Sequence, residues 1–198
     1  RDHRVNHHGK GFFIAENGLL EAKIFDSPKS EASVFKDNNI EVFAFSVPHG
    51  PIHGAVGYRI VAGNRSVIIS GDTDLMDNYS FANGVDVLIH EAILEQESAE
   101  ISRAAYRVGN DRMGVIFHDI QNYHANLMDY DDQPGLLSRL EGIDIGMLAL
   151  IHIIPDKDQP IVKSTLRRFK SKSSHKTVVV NDNMVMELPL NSDKIFIK

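Results

Sequence analysis

The chain has 198 residues, 42% of them hydrophobic and 24% charged, which predicts one globular domain large enough to bury a core. It contains no cysteine, which excludes a disulfide framework and a thiolate zinc site. The formal net charge of −6 disfavours nonspecific nucleic-acid binding, and the lack of an apolar run of about 18 residues disfavours a membrane span.

Predicted strands and helices alternate along the chain after an irregular lead-in over residues 1–39. Apolar runs of strand length predict the strands, and amphipathic stretches predict the helices. Gly63 and Asn64 form a turn pair between two of the strands, and Pro160 stands in the first turn of the last helix. The predicted strands cover 41–47, 56–62, 66–70, 85–89, 146–151 and a closing hairpin of 177–180 with 184–188, and the predicted helices cover 77–83, 95–108, 133–140 and 159–170.

Three side chains that can bind metal follow three of the predicted strands directly. They are His49, Asp72 and His152, and each stands one to three residues beyond an apolar run. Ligands at the ends of adjacent strands can converge on one ion, with the sheet as a rigid frame. Imidazole and carboxylate ligands suit zinc, iron or manganese. The pattern therefore predicts a metal site at one edge of a sheet.

The order of these and further motifs resembles that of metallo-β-lactamase-fold hydrolases, in particular the branch of ribonuclease Z and its arylsulfatase-like relatives. The resemblance implies an α/β fold, the C-terminal part of an αββα sandwich, with residues 1–198 as a single partial domain and 40–198 as its second half. The motifs are Ser-Val-Pro-His-Gly-Pro (46–51), Gly-Tyr-Arg (57–59), Ser-Gly-Asp-Thr (70–73), Leu-Ile-His-Glu-Ala (88–92), Tyr-His (123–124) and Ile-His-Ile-Ile-Pro (151–155).

One motif of the family is missing from this sequence. The family carries a His-x-His-x-Asp-His string in its first half, and no such string occurs here. The nearest histidine cluster, formed by His3, His7 and His8, has a different spacing and no aspartate between its members. By this comparison we expect the chain to be the C-terminal portion of a longer enzyme and to be inactive alone.

The resemblance implies a role for four residues. His49 and His152 are implied metal ligands, and Asp72 is implied to bridge two ions because a carboxylate has two oxygens. His124 is the implied catalytic histidine, which donates a proton or stabilises the transition state. The implied cofactor is a pair of divalent ions, zinc first, with manganese and iron as alternatives.

Other histidines compete for these roles. His53 lies in the same turn as the first ligand, and His118 precedes the catalytic histidine by six residues. His90 and Glu91 are adjacent on a predicted strand, so their side chains point to opposite faces and cannot both face one site. We interpret that pair as structural or supporting.

The implied reaction is hydrolysis of an ester-like bond by metal-bound hydroxide. The bond is a phosphodiester, sulfate or carboxylic ester of a small molecule, because only 22 residues separate His49 from Asp72 and leave no room for the transfer-RNA-binding arm of ribonuclease Z. The alternatives are a transfer-RNA 3′-processing endonuclease and a non-catalytic binding subunit of the same fold. The sequence leaves open a homodimer, and a cytoplasmic or periplasmic location.

Overall fold

The computed structural model describes residues 24–130 and 132–198, which form one seven-stranded sheet with helices. The sheet contains, in spatial order, β1 (Ala32–Lys36), β2 (Glu41–Ser46), β3 (Val56–Ala62), β4 (Arg65–Ile69), β5 (Val85–Ile93), β6 (Ile145–Ile154) and β7 (Thr177–Val179). The remaining elements are α1 (Glu95–Arg107), α2 (Asp111–Asp119), α3 (Leu136–Arg139), α4 (Pro160–Lys172), 3-10 turns at Ser80–Ala82 and Ile120–Asn122, and a small ribbon of β8 (Met186–Glu187) with β9 (Phe196–Ile197). None of these described helices is long and apolar enough to cross a membrane.

The strand directions bring four chain segments to one edge of the sheet. β1 to β4 pair antiparallel in sequence, whereas β4 to β7 pair parallel. β2 and β4 flank β3 and therefore run in the same direction, which β5 and β6 share. The carboxyl ends of these four strands consequently lie at the same edge. β5 and β6 are nearly continuous apolar runs, as expected of parallel strands covered on both faces.

The two faces of the sheet are covered differently. On one face, Leu88 and Leu148 belong to a core cluster that includes Leu166 and Phe169 of α4. The opposite face carries a smaller cluster centred on Met147, against which the C-terminal segment packs. The members of the smaller cluster and the residues packed on it are Val87, Met147, Ala149, Val67, Ile89, Val178, Val180, Met186, Leu188 and Ile195.

Most of the predicted elements are confirmed. The hairpin around Gly63 and Asn64 joins β3 to β4 as expected. α1 and α4 match their predicted ranges to within two residues, and Pro160 is the first residue of α4. β5 and β6 are longer than predicted, because both continue into the residues that follow their apolar runs.

Three predicted segments are wrong in part. The lead-in over 1–39 is not irregular at its end, because β1 pairs with β2; its residues 1–23 lie outside the described part of the chain. The helix predicted at 77–83 is only a 3-10 turn, since the Asn78 side chain accepts the Ser80 N–H and competes with a helical bond. The helix predicted at 133–140 shortens to α3, because Gln133 forms an isolated bridge with Tyr130.

The predicted C-terminal hairpin is also wrong. β7 pairs parallel with β6 instead of with the segment that follows it, and Met186 pairs with Ile197. Val178 and Leu188 nevertheless both pack against the smaller cluster. Two segments that cover the same apolar face alternate in hydrophobicity whether or not they pair with each other, so the pattern alone could not show the pairing.

Candidate metal centre

The residues predicted to bind metal meet at the edge of the sheet where β2, β4, β5 and β6 end. His49 follows β2, Asp72 follows β4, and His152 lies near the end of β6. A fourth side chain, Glu91 near the end of β5, joins them. The shared direction of the four strands explains this convergence, which the sequence pattern predicted for three of the four residues. The roles of these residues as ligands remain predictions.

Glu91 lies at the centre of the site and is fully buried. Its Oε1 accepts the backbone N–H of Thr73. Its Oε2 lies 2.6 Å from Nδ1 of His124 and 3.1 Å from Nδ1 of His152. A carboxylate can only accept hydrogen bonds, so both Nδ1 atoms donate. Burying a carboxylate without partners is costly, and these three donors compensate the buried negative charge of Glu91.

Two groups of three side chains at this edge could each hold a metal ion. In the first, ligand atoms of His49, Glu91 and His124 lie within 4.8 Å of one another, and in the second the same holds for Asp72, Glu91 and His152. Glu91 is the member common to both groups. Three protein ligands leave a coordination position open, which is the arrangement of catalytic zinc sites.

His152 owes its position to a bulge at the end of β6. Glu91 lies opposite Ile151 and Ala92 opposite Ile153, so His152 is the extra residue. Its φ of +45° is unusual for a residue other than glycine and costs on the order of 1–3 kcal/mol. Bulges commonly redirect a side chain beside an active site. Here the redirected imidazole contacts Asp72 Oδ1 at 3.2 Å as well as Glu91.

The carboxylates also affect the charge of His152. The hydrogen bond with Glu91 raises the pKa of His152, and the charge of Asp72 adds to this effect, while burial opposes it. Two anionic groups on one imidazole favour a positive charge there. A metal cation in the same position would satisfy the same carboxylates, so the residues present fit a bound divalent ion.

His49 is held by the loop that carries His124. Its Nδ1 donates to the backbone carbonyl of Tyr123 at 3.0 Å. Gly50, the next residue, has a φ of +47°, and a Cβ there would lie 2.6 Å from Cβ of Tyr123. Only glycine allows the turn and the loop to approach this closely. The Pro-His-Gly-Pro turn therefore fixes the first histidine against the loop.

His124 is buried between the other two imidazoles. Its ring centroid lies 5.0 Å from that of His49 and 5.3 Å from that of His152, both in edge-on arrangements. The following residue anchors the loop, because Ala125 N–H donates to Thr73 O at 2.8 Å and Ala125 O accepts from Ile93 N–H at 2.8 Å. The loop thus places His124 inside the cluster.

The competing histidines lie elsewhere. His53 is exposed in the turn after His49. His118 is exposed on α2, a helix that is absent from the predicted elements. Neither belongs to a three-residue metal group within residues 24–130 and 132–198. His3, His7 and His8 are outside the described residues.

Sequence reasoning missed Glu91 as a member of the site. The predicted alternation is correct, because His90 faces the core while Glu91 faces the site. His90 Nδ1 donates to Glu91 O at 2.6 Å, and its Nε2 accepts from the Tyr79 hydroxyl at 3.0 Å. Complete burial lowers the pKa of His90, consistent with a neutral ring. The sequence did contain a signal for Glu91, since it follows an apolar strand in the same way as Asp72, which was predicted from that pattern.

Asp74 is a further carboxyl group beside the cluster. Its backbone N–H donates to Pro48 O at 2.6 Å, which ties the segment after β4 to the His49 turn. Burial raises the pKa of Asp74, a hydrogen bond from Leu75 N–H opposes this effect, and the nearby charge of Glu91 adds to it. This carboxyl therefore accepts a proton more readily than an exposed aspartate.

The Tyr79 hydroxyl should be needed for the stability of the neutral His90. Tyr79→Phe leaves Nε2 of His90 buried without its donor, and we expect the free energy of unfolding to fall by about 1–3 kcal/mol. Urea denaturation measures this change. The control is Tyr106→Phe, because Tyr106 is 45% exposed. We expect this substitution to change the free energy of unfolding by no more than about 0.5 kcal/mol. Equal effects of the two substitutions would contradict the assignment.

Comparisons with known proteins identify the fold. No sequence family and no curated protein matches the chain. A metallo-β-lactamase-fold protein, YhfI from Bacillus subtilis, matches 88% of the chain and 55% of its own length, with 15% identity and a TM-score of 0.53. Zinc-bound PqqB from Methylobacterium extorquens matches 77% of the chain and 52% of its own length, with 18% identity and a TM-score of 0.51.

The matches are partial. The chain spans about half the length of these two structures. Human tRNase Z, short form, matches 82% of the chain with a TM-score of 0.42, which is too low to distinguish one branch of the fold from another. The likeness shows the fold alone at these identities. The predicted α/β architecture is confirmed, and the chain has a metallo-β-lactamase fold.

Proposed function

We propose that the protein is a metal-dependent hydrolase that cleaves an ester-like bond of a small molecule. The observation that carries this proposal is the convergence of His49, Asp72 and His152 on the buried carboxylate of Glu91, with His124 beside them. Imidazoles and carboxylates that converge at strand ends are the ligand set of hydrolytic zinc sites.

The proposed ligands are His49, Glu91, Asp72 and His152. The imidazoles and carboxylates of this set are suited to zinc, which the Methylobacterium extorquens PqqB structure contains, with manganese and iron as alternatives. Two divalent ions, when bound, would supply the nucleophile at neutral pH by lowering the pKa of coordinated water toward about 7. The edge-on packing of the histidines and the bulge at His152 fix the ligands before any ion binds.

His124 is the proposed proton donor. Glu91 accepts its Nδ1–H at 2.6 Å, which fixes the orientation of the ring. The other ring nitrogen, Nε2, is then the atom from which His124 would donate a proton to the leaving oxygen. A small-molecule ester, whether phosphodiester, sulfate or carboxylic, is the proposed substrate in preference to RNA, because the hairpin of β3 and β4 fills the segment between the first two ligands.

Metal content and hydrolysis test the proposal together. The complete gene product should bind two divalent ions and hydrolyse at least one aryl phosphodiester, sulfate or carboxylic ester, and chelation should abolish turnover until the metal is restored. Asp72→Asn should reduce the bound metal toward one ion, because Asp72 belongs to only one of the two groups. The control, Asp77→Asn, changes an exposed side chain and should leave two ions bound.

The same measurements can reject the proposal. A protein that binds neither zinc nor manganese nor iron and hydrolyses none of the three ester classes is not a hydrolase of this kind. That result would favour the non-catalytic binding subunit. Cleavage of precursor transfer RNA, with no activity on small esters, would instead favour the endonuclease.

A further inference from the structure

A concave surface rich in positive charge runs along one side of α4. Lys163, Arg167 and Lys170 follow one another at spacings of four and three residues and therefore share one face of the helix, which Leu166 adjoins. They line a groove of about 310 Å³ whose far wall is the end of β7. The groove has an apolar floor, because Leu166 is almost fully buried.

The charge in this groove is unbalanced. Lys157, Lys163, Arg167 and Lys170 face a single carboxylate, Asp158. Nζ of Lys157 and Nζ of Lys163 each lie 3.1 Å from Asp158. Among residues 24–130 and 132–198, no carboxylate pairs with Arg167 or Lys170. Since the chain has a net charge of −6, this cluster of cations is a local feature and not the average of the surface.

The basic groove adjoins the candidate metal centre. Lys157 also lines a second cavity of about 380 Å³, which contains His152 together with Asp156 and Asp182. The two aspartates disfavour an anionic group inside that second cavity. An anionic group on a molecule bound at His152 would therefore be stabilised best beyond Lys157, in the basic groove.

We infer that the basic groove binds a phosphate group carried by the substrate at a distance from the bond that is cleaved. A guanidinium binds phosphate oxygens through two parallel hydrogen bonds, and Arg167 is the cation in the groove with this geometry. The lysines add positive charge around it. The assignment to a substrate rests on the proposed hydrolase function, whereas anion binding by the groove does not.

Anion binding is tested on the metal-free protein. The protein is first passed over a chelating resin to remove metal. Inorganic pyrophosphate, titrated into this protein at low ionic strength, should then bind saturably with one site per protein molecule. Arg167→Glu should weaken this binding by about tenfold or more, since it removes a charged hydrogen-bond donor and adds a repulsive charge.

The matched control is the adjacent residue. Arg168→Glu makes the same charge change on the same helix, but Arg168 lines a different cleft, next to Glu97 and Thr165. It should leave the dissociation constant within about twofold, as expected for an independent site. Non-saturable binding, or an equal loss in both variants, would overturn the inference, because the effect would then reflect overall charge.

Hydrolysis tests whether the phosphate belongs to the substrate. With metal-loaded protein, kcat/KM for an aryl ester bearing a remote phosphate should fall about tenfold in Arg167→Glu, with no change for the same ester without the phosphate. An equal change for both esters would overturn the substrate assignment. Failure to hydrolyse either ester would instead reject the hydrolase proposal, and the pyrophosphate titration would still decide whether the groove binds anions.

Discussion

Glu91→Gln is expected to weaken divalent-metal binding by about 100-fold or more. Glu91 is the member common to both ligand groups, so its loss affects both ions. Glutamine has a similar size but carries an NH₂ group in place of one carboxylate oxygen. That NH₂ would face either the Thr73 N–H or the Nδ1 atoms of His124 and His152, all of which are donors in the present arrangement.

The measurement is competition for zinc with a chelating indicator, with circular dichroism to verify that the variant is folded. Glu97→Gln is the matched control, because Glu97 is also buried but its Oε1 accepts a hydrogen bond from Thr165 between α1 and α4. It should bind metal as the unmodified protein does. Unchanged zinc affinity in a folded Glu91→Gln variant would exclude Glu91 as a shared ligand.

The prominence of Glu91 changes the role expected of Asp72. The family resemblance assigns the bridging carboxylate to Asp72, whose side chain is 57% exposed and contacts His152 alone among the site residues. Glu91 is fully buried and hydrogen-bonds to two histidines. Burial and hydrogen bonding therefore favour Glu91 over Asp72 as the carboxylate on which both ligand groups would depend, with Asp72 at the edge of the site. The Asp72→Asn measurement distinguishes these arrangements by the number of ions lost.

Much of the site could be predicted from the sequence, because the ends of strands are marked by local patterns. An apolar run followed by a ligand identifies a strand and its end without knowledge of the partner strand. The turn at Gly63 and Asn64 predicted that β3 and β4 are antiparallel. With β2 paired to β3 in the same way, the directions of β2 and β4 agree, so that His49 and Asp72 share an edge.

The remaining features depend on contacts between distant residues, which no local pattern contains. The bulge at His152 exists because β5 and β6 differ by one residue in register near their ends. The burial of His124 depends on backbone bonds from its loop to residues after β4 and at the end of β5. The pairing of β7 with β6, and not with its sequence neighbour, is a third example.

A single substitution separates the two roles open to His124, proton donor and metal ligand. His124 belongs to a metal-binding group, yet its Nδ1 already donates to Glu91 at 2.6 Å. If it is the proton donor, His124→Ala should keep both ions and lower kcat by about 10²–10⁴-fold on an ester with a poor leaving group. On an activated aryl ester, whose leaving oxygen needs no proton, the loss should be much smaller.

The comparison of the two esters makes this test specific to proton transfer. Loss of a ligand would slow both esters, since it weakens the ion on which both depend, whereas loss of a proton donor spares the activated ester. His118→Ala is the control, because His118 is exposed on α2 and should affect neither rate nor metal content. If His124→Ala strips the metal, or slows both esters equally, then His124 is not the proton donor, and the proton must come from another group at the site. Asp74, whose pKa is raised by burial, is then the candidate carboxyl.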